Sequence, residues 1–167
     1  MPPRITAGYS PGAIGRIAEL HARYYSRHWQ FGLVFEAKVA TEMAGFLQRF
    51  DPTADGFWTV ASGDSIEGGI AIDGRHADSK GAHLRWFIVS DTLRHQGAGS
   101  LLLTTALDFC RRAGHPAVYL WTFEGLAPAR HLYEKFGFRL AEAHTGDQWG
   151  TVVVEQQFVL ELTRHPY

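Results

Sequence analysis

The sequence predicts a mixed α/β protein built on one central sheet, and three observations carry that prediction. Residues 84–123 read as strand, glycine turn, helix and second strand, an order that makes the two strands parallel neighbours. Short apolar segments on either side of that unit, at 57–72 and 138–162, read as antiparallel hairpins. The length of 167 residues, with 46% hydrophobic and 20% charged, suits one domain with a sizeable core. The whole chain, 1–167, is therefore expected to be a single domain. Its sheet should be mostly antiparallel with one parallel pair, flanked by about four helices.

Residues 3–7, around Ile5, are expected to open the fold as a short strand. A helix should start at Ser10-Pro11, an N-cap followed by proline at the first helical position. Ile14, Ile17, Ala18, His21 and Tyr25 then recur at helical spacing. The stretch Arg27-His-Trp-Gln-Phe-Gly32 breaks that period and reads as a loop. A second helix over about 36–50 carries Val39, Met43, Phe46, Leu47 and Phe50 on one face. Asp51-Pro52 ends it, because a residue before proline is pushed from helical angles.

Phe57–Ser62 and Ile66–Ile72 form the first expected hairpin about Gly63-Asp64, and Asp73–Gly81 is a polar connection. The strand Leu84–Val89 leads through the turn into a helix over about 98–113. Leu102, Leu103, Ala106, Leu107 and Cys110 mark its buried side. Arg111 and Arg112 suit its C-terminal dipole, and Gly114 and Pro116 stop it. Ala117–Phe123 is the second parallel strand. A helix over about 126–136 presents Leu126, Ala129, Leu132, Tyr133 and Phe136, and Gly137 ends it. Phe138–His144 and Val152–Leu162, joined by Thr145–Gly150, close the chain as the second hairpin.

Composition also excludes classes. The net charge is −1 and no block of Lys or Arg stands out, so nucleic acid is not an expected partner. The single cysteine, Cys110, rules out an internal disulfide framework and fits a reducing compartment. No segment reads as a signal peptide or a membrane span, so a soluble, cytoplasmic protein is expected, with no membrane partner and no metal.

The turn Arg94-His95-Gln96-Gly97-Ala98-Gly99-Ser100 is where chemistry gathers. Its glycines let the backbone curl, and the first amides of the following helix lack carbonyl partners, so they can face an anion. A dinucleotide fingerprint would need a third glycine, where this chain has Leu102. A nucleoside-triphosphate loop would need Gly-Lys-Ser/Thr, which does not occur. Two glycines that merely shape a turn remain the plainer alternative. After the parallel strand comes Ala129-Arg-His-Leu-Tyr133-Glu-Lys-Phe-Gly137-Phe138. Together, Arg94, Gly97 and Gly99 with Ala129 and Leu132–Phe138 resemble the paired signatures of the GNAT superfamily of N-acetyltransferases.

The resemblance implies the GNAT fold, with its parallel strands splayed apart, and acetyl-coenzyme A as cosubstrate. The pyrophosphate would sit on the Arg94–Ser100 turn, and the pantetheine arm along Ile88 and Val89 like an added strand. It implies an acyltransferase that passes acetyl to a primary amine of a small molecule or peptide by direct attack. An acyl-coenzyme A sensor with little turnover is the alternative. Tyr133 matches the tyrosine that protonates the departing sulfur, although its spacing also fits a buried aromatic. An amide near Ile88 would meet the oxyanion. His83 occupies the position of the family's frequent glutamate base, with Glu36, Glu67 and Glu124 as rivals. Trp29, Phe31 and Glu36 would line the acceptor pocket, although their pattern equally fits a core where two helices meet. Where the family often has asparagine three positions before Ala129, this chain has Leu126, which removes one expected contact to the coenzyme. Leu120–Leu126, Gln148-Trp149-Gly150 and Glu155–Phe158 resemble the acetyltransferase half of proteins fused to MarR-type regulators. Any DNA-binding role would then come from another chain. A homodimer through the late strands is a further expectation.

Overall fold

Hydrophobic alternation lays down seven strands and separates them with helical stretches in this computed structural model, which describes residues 2–162. Met1 and residues 163–167, which belong to the expected domain 1–167, lie outside the described residues. The strands are β1 (Arg4–Ala7), β2 (Gly56–Ser62), β3 (Ser65–Asp73), β4 (Ala82–Val89), β5 (Ala117–Phe123), β6 (Arg139–Gly146) and β7 (Val153–Glu161). The helices are α1 (Ala13–Trp29), α2 (Leu33–Gln48), the single turn α3 (Ala77–Lys80), α4 (Ala98–Ala113) and α5 (Ala127–Lys135). The strands form one sheet in the order β1-β2-β3-β4-β5-β7-β6. Every neighbouring pair is antiparallel except β4 and β5. The fold class is thus as expected, and β7 lies between β5 and β6.

Both ends of α1 depart from the sequence expectation, and α2 begins at Leu33 and ends at Gln48 where about 36–50 was expected. Residues 27–29, expected in a loop, complete α1. Arg27 and His28 suit its C-terminal dipole, and Gln30, at φ 60°, caps it by donating its N–H to the Ser26 carbonyl while the Phe31 N–H donates to that of Tyr25. The N-cap of α1 is Gly12 rather than Ser10. The polar connection before β4 also contains the turn α3.

Each face of the sheet has its own core. On one face, α4 presses Ala98, Leu102, Leu103, Ala106, Leu107 and Cys110 against Val60, Ile70, Ile72, Leu84 and Val118. On the other, Ile17 of α1 and Val39, Met43 and Phe46 of α2 pack against Phe57, Ala71 and Phe123. The helical periods read from the sequence are these two buried faces. Among the described residues, no helix is long and apolar enough to cross a membrane.

Two irregularities in β4 create the site. Pairing with β5 extends only over Ala82–Val118 and His83–Tyr119, so beyond His83 the parallel strands diverge and leave facing edges unpaired. Pairing with β3 is interrupted between Gly69 and Ala71, where Trp86 and Phe87 both oppose Ile70. That bulge holds Trp86 in a left-handed conformation at φ 48°, which a bulky residue adopts only when its surroundings impose it. The alternation of side chains slips by one. Trp86 and Ile88 join the core beneath α1 and α2, and Phe87 and Val89 join the core beneath α4.

Candidate active site

The divergence of β4 and β5 opens a cleft of about 640 Å³, within the range of small-molecule sites. One end is built by the turn before α4. His95 at φ 61° and Gly97 at φ 78° curl the backbone, and the first intrahelical bond runs from Leu101 N–H to the Gly97 carbonyl at 3.0 Å. The amides of Ala98, Gly99 and Ser100 therefore have no intrahelical partner, and no side chain caps the helix. A Cβ on Gly97 would meet nothing within 4 Å. Positive helix-end amides beside open space fit a pyrophosphate.

Arg94, His95, Gly97, Ala98, Gly99 and Ser100 line this end, with Ile88 and Val89 on the adjoining strand. Gln96 is turned away, its side-chain amide donating to the Thr92 carbonyl at 3.0 Å. Arg94 pairs with Asp91 at 3.0 Å and lies 5.4 Å from the Tyr24 ring centre. Leu126 lines the cleft where a polar contact was anticipated in relatives.

Tyr133 reaches the middle of the cleft from α5. Its ring packs among Phe87, Phe138 and Phe158, with centroids 5.8–6.3 Å away. Among the described residues its hydroxyl has no protein partner, and no buried side-chain polar atom is orphaned. The hydroxyl therefore faces the open cleft. Burial, with the nearby Tyr25 as a lesser influence, raises its pKa above the ordinary phenol range, so it stays protonated at working pH.

His83 lines the far end, stacked on Tyr119 with centroids 4.5 Å apart. Burial first and Arg85 second lower its pKa to about 3, against a smaller opposing influence of Asp73. It is a neutral imidazole at physiological pH and a weak base. The rival carboxylates stand elsewhere. Glu67 is occupied by Arg16 and by the Ser90 hydroxyl, which donates at 2.5 Å, and Glu124 is exposed outside the cleft lining.

The expected acceptor-pocket residues are not brought into the cleft. Trp29 packs edge-on against Phe123 at 5.0 Å, and Phe31 is buried against Tyr25, Phe35 and Phe123. Glu36 is exposed in the first turn of α2, beside Arg23 and Arg27. The cleft is instead lined, away from the turn before α4, by Lys38 and Glu42 of α2, Arg85 and Trp86 of β4, Trp121 of β5, and Gln148 and Trp149. Glu155, almost fully buried, holds that last loop by accepting from the Gln148 backbone at 3.1 Å and its side-chain amide at 2.6 Å. Lys38 and Glu42 could have been found as the polar members of a face shared with Phe35 and Val39.

The sequence model of the acetyltransferase (GNAT) family matches residues 14–138. The chain belongs to the GNAT acetyltransferase family. Its fold is similar to that of a GNAT-family acetyltransferase from Staphylococcus aureus Mu50, with TM-score 0.73 and 15% identity over 96% of this chain and 100% of that one. An acetyltransferase from Streptococcus agalactiae 2603 gives TM-score 0.75 and 18% identity over 96% and 98%. The yncA protein of Salmonella typhimurium, solved with its cofactor acetyl-CoA, gives TM-score 0.70 and 14% identity over 98% and 96%. No curated protein sequence matches the chain. As a GNAT acetyltransferase the protein is an acyltransferase by family, and its cleft lies where β4 and β5 part.

Proposed function

We propose that this GNAT protein transfers acetyl from acetyl-CoA to a primary amine of a small molecule or peptide by direct attack. The observation that carries the reading is the convergence on one cleft of uncapped helix-end amides, a free strand edge and a tyrosine hydroxyl with no partner among the described residues. Acetyl-CoA would supply the activated acetyl thioester. The amides of Gly97–Ser100 hold its pyrophosphate, and the free edge at Ile88 and Val89 bonds its amide-bearing arm.

The amine nitrogen forms the new C–N bond as the C–S bond breaks. A backbone amide of the bulged strand, near Ile88, donates a hydrogen bond to the carbonyl oxygen as negative charge develops on it. Tyr133 donates its proton to the departing sulfur and regains one from solvent. The proton lost by the amine leaves through water hydrogen-bonded to His83, whose neutral ring accepts a hydrogen bond without having to hold a full charge. The net exchange consumes one amine and one thioester and yields one amide and one thiol.

Thermal unfolding with acetyl-CoA, and separately with NAD, tests the cosubstrate. At a hundred times its Kd, acetyl-CoA should add about 2.7 kcal/mol of stability, and NAD should add none. Thiol release with a panel of amines tests turnover. Stabilisation without thiol release from any amine would favour an acyl-CoA sensor, and stabilisation by NAD alone would overturn the proposal.

A further inference from the structure

The acceptor end of the cleft carries a charge pattern that acetyl transfer itself does not require. Four cations line the cleft, Lys38, Arg85, Arg94 and Lys135, and Glu42 is its one lining carboxylate among the described residues. Arg94 belongs to the coenzyme turn, while Arg85 and Lys38 stand at the acceptor end with Glu42 between them. Glu42 accepts from the Arg85 guanidinium on one oxygen and from the Lys38 ammonium at 3.0 Å on the other. A single carboxylate balances only one of the two cations. Asp73, the other acid near His83, stands outside the cleft lining, bonded to Arg49 at 2.6 Å.

Arg85 is also held ready. The register interruption in β4 places it beside Trp86, whose ring centre is 4.3 Å from its guanidinium carbon. Such stacking orients the planar fork without using its N–H groups. One of its nitrogens meets Glu42; the others meet no acceptor among the described residues. Since no buried side-chain polar atom there is orphaned, they open to the cleft. Arg85 lies three residues before Ile88, a span of at most about 10 Å of strand. One small molecule can therefore reach both Arg85 and the strand near Ile88.

We infer that the acceptor is an amine that also bears a carboxylate, an amino acid in the chemical sense, with that carboxylate received by Arg85 and Lys38. A polyamine or simple alkylamine would instead add positive charge to an end that already carries an excess of it. The inference rests on the acetyl-transfer reading. It also gives acceptor binding a chemical consequence, because a carboxylate on Arg85 offsets one of the influences that hold His83 weakly basic.

The test compares amino acids with their carboxamides and with the corresponding decarboxylated amines. Binding is read by thermal shift on protein saturated with coenzyme A, and turnover by thiol release with acetyl-CoA. The acids should bind at least about tenfold more tightly than either series that lacks the carboxylate, the usual margin for a charge-assisted pair. Arg85→Gln should bring the acids down to the carboxamides and leave acetyl-CoA affinity as in the wild type. Arg85→Lys, which keeps the charge but loses the fork, should fall between. Equal or tighter binding of the decarboxylated amines, or binding by no acid, would overturn the inference. If acids bind but acetyl-CoA does not, the transfer reading fails while the carboxylate site stands.

Discussion

A phenol in an aromatic nest keeps its proton through the neutral pH range, and that is the property Tyr133 would bring to the reaction. Tyr133→Phe removes one oxygen from a ring packed by Phe87, Phe138 and Phe158, so the packing survives. Turnover should fall about 10²–10⁴-fold, the usual loss for a positioned acid, with acetyl-CoA affinity retained by calorimetry. Full activity would remove Tyr133 from the chemistry. His83 makes a second prediction. Its conjugate acid has a pKa of about 3, so it does not change charge between about pH 5 and 9. The profile of kcat/KM should therefore rise with the ionisation of the amine itself and show no inflection near the ordinary histidine value of about 6.5. An inflection near 6.5 that disappears in His83→Gln would instead make His83 a full base.

At the level of the elements, α4 carries two demands that one substitution can separate. A Cβ on Gly99 would meet Leu132, Phe87 and Val89 at 3.6–3.9 Å, ordinary contact distances. Gly99→Ala should therefore keep the fold, with a gain of about 0.5–1 kcal/mol from lower chain entropy in urea unfolding. The same methyl narrows the end of the cleft offered to the pyrophosphate, where overpacking by about 1–3 kcal/mol would weaken acetyl-CoA about tenfold or more. Unchanged affinity would place the coenzyme elsewhere. This turn was legible in the sequence because its conformation is set locally, by glycines and by the start of a helix. The bulge of β4 was not. Leu84-Arg85-Trp86-Phe87-Ile88-Val89 contains no glycine or proline to mark it, and the pairing with Ile70 that fixes it is remote in the chain. Arg85 therefore went unnoticed as a cleft residue. Trp29, Phe31 and Glu36 were misplaced for a related reason. A loop at 27–32 would leave Trp29 and Phe31 free to reach the cleft and start the second helix at Glu36, but α1 continues to Trp29, turns sharply at Gln30, and α2 begins at Leu33.

Over the whole molecule, two histidines make stability depend on acid in a definite direction. His21, buried beneath α1 and α2, donates its Nδ1–H to the Ile17 carbonyl at 2.8 Å, and burial lowers its pKa to about 4. His83 is lowered to about 3. In the unfolded chain both would titrate near about 6.5. Between that value and their folded pKa values the unfolded chain binds more protons, so stability falls as pH falls, by about 1.4 kcal/mol per pH unit for each group. Above about pH 7 neither state is protonated at these sites and the curve should be flat. Glu67 acts in a lower window. Burial alone would raise its pKa, but hydrogen bonds from Ser90 and Ser65 and the charge of Arg16 outweigh this and lower it. Its contribution is lost only as pH drops below about 4.5. Urea midpoints should therefore hold steady from about pH 8 to 7 and decline steeply from about 6 to 5, before carboxylates take part. His21→Gln should start from lower stability at pH 7 because it disturbs packing, yet its decline between about pH 6 and 5 should be about half as steep. An unchanged slope would mean that His21 takes up a proton in the folded protein, with α1 and α2 parting to admit water.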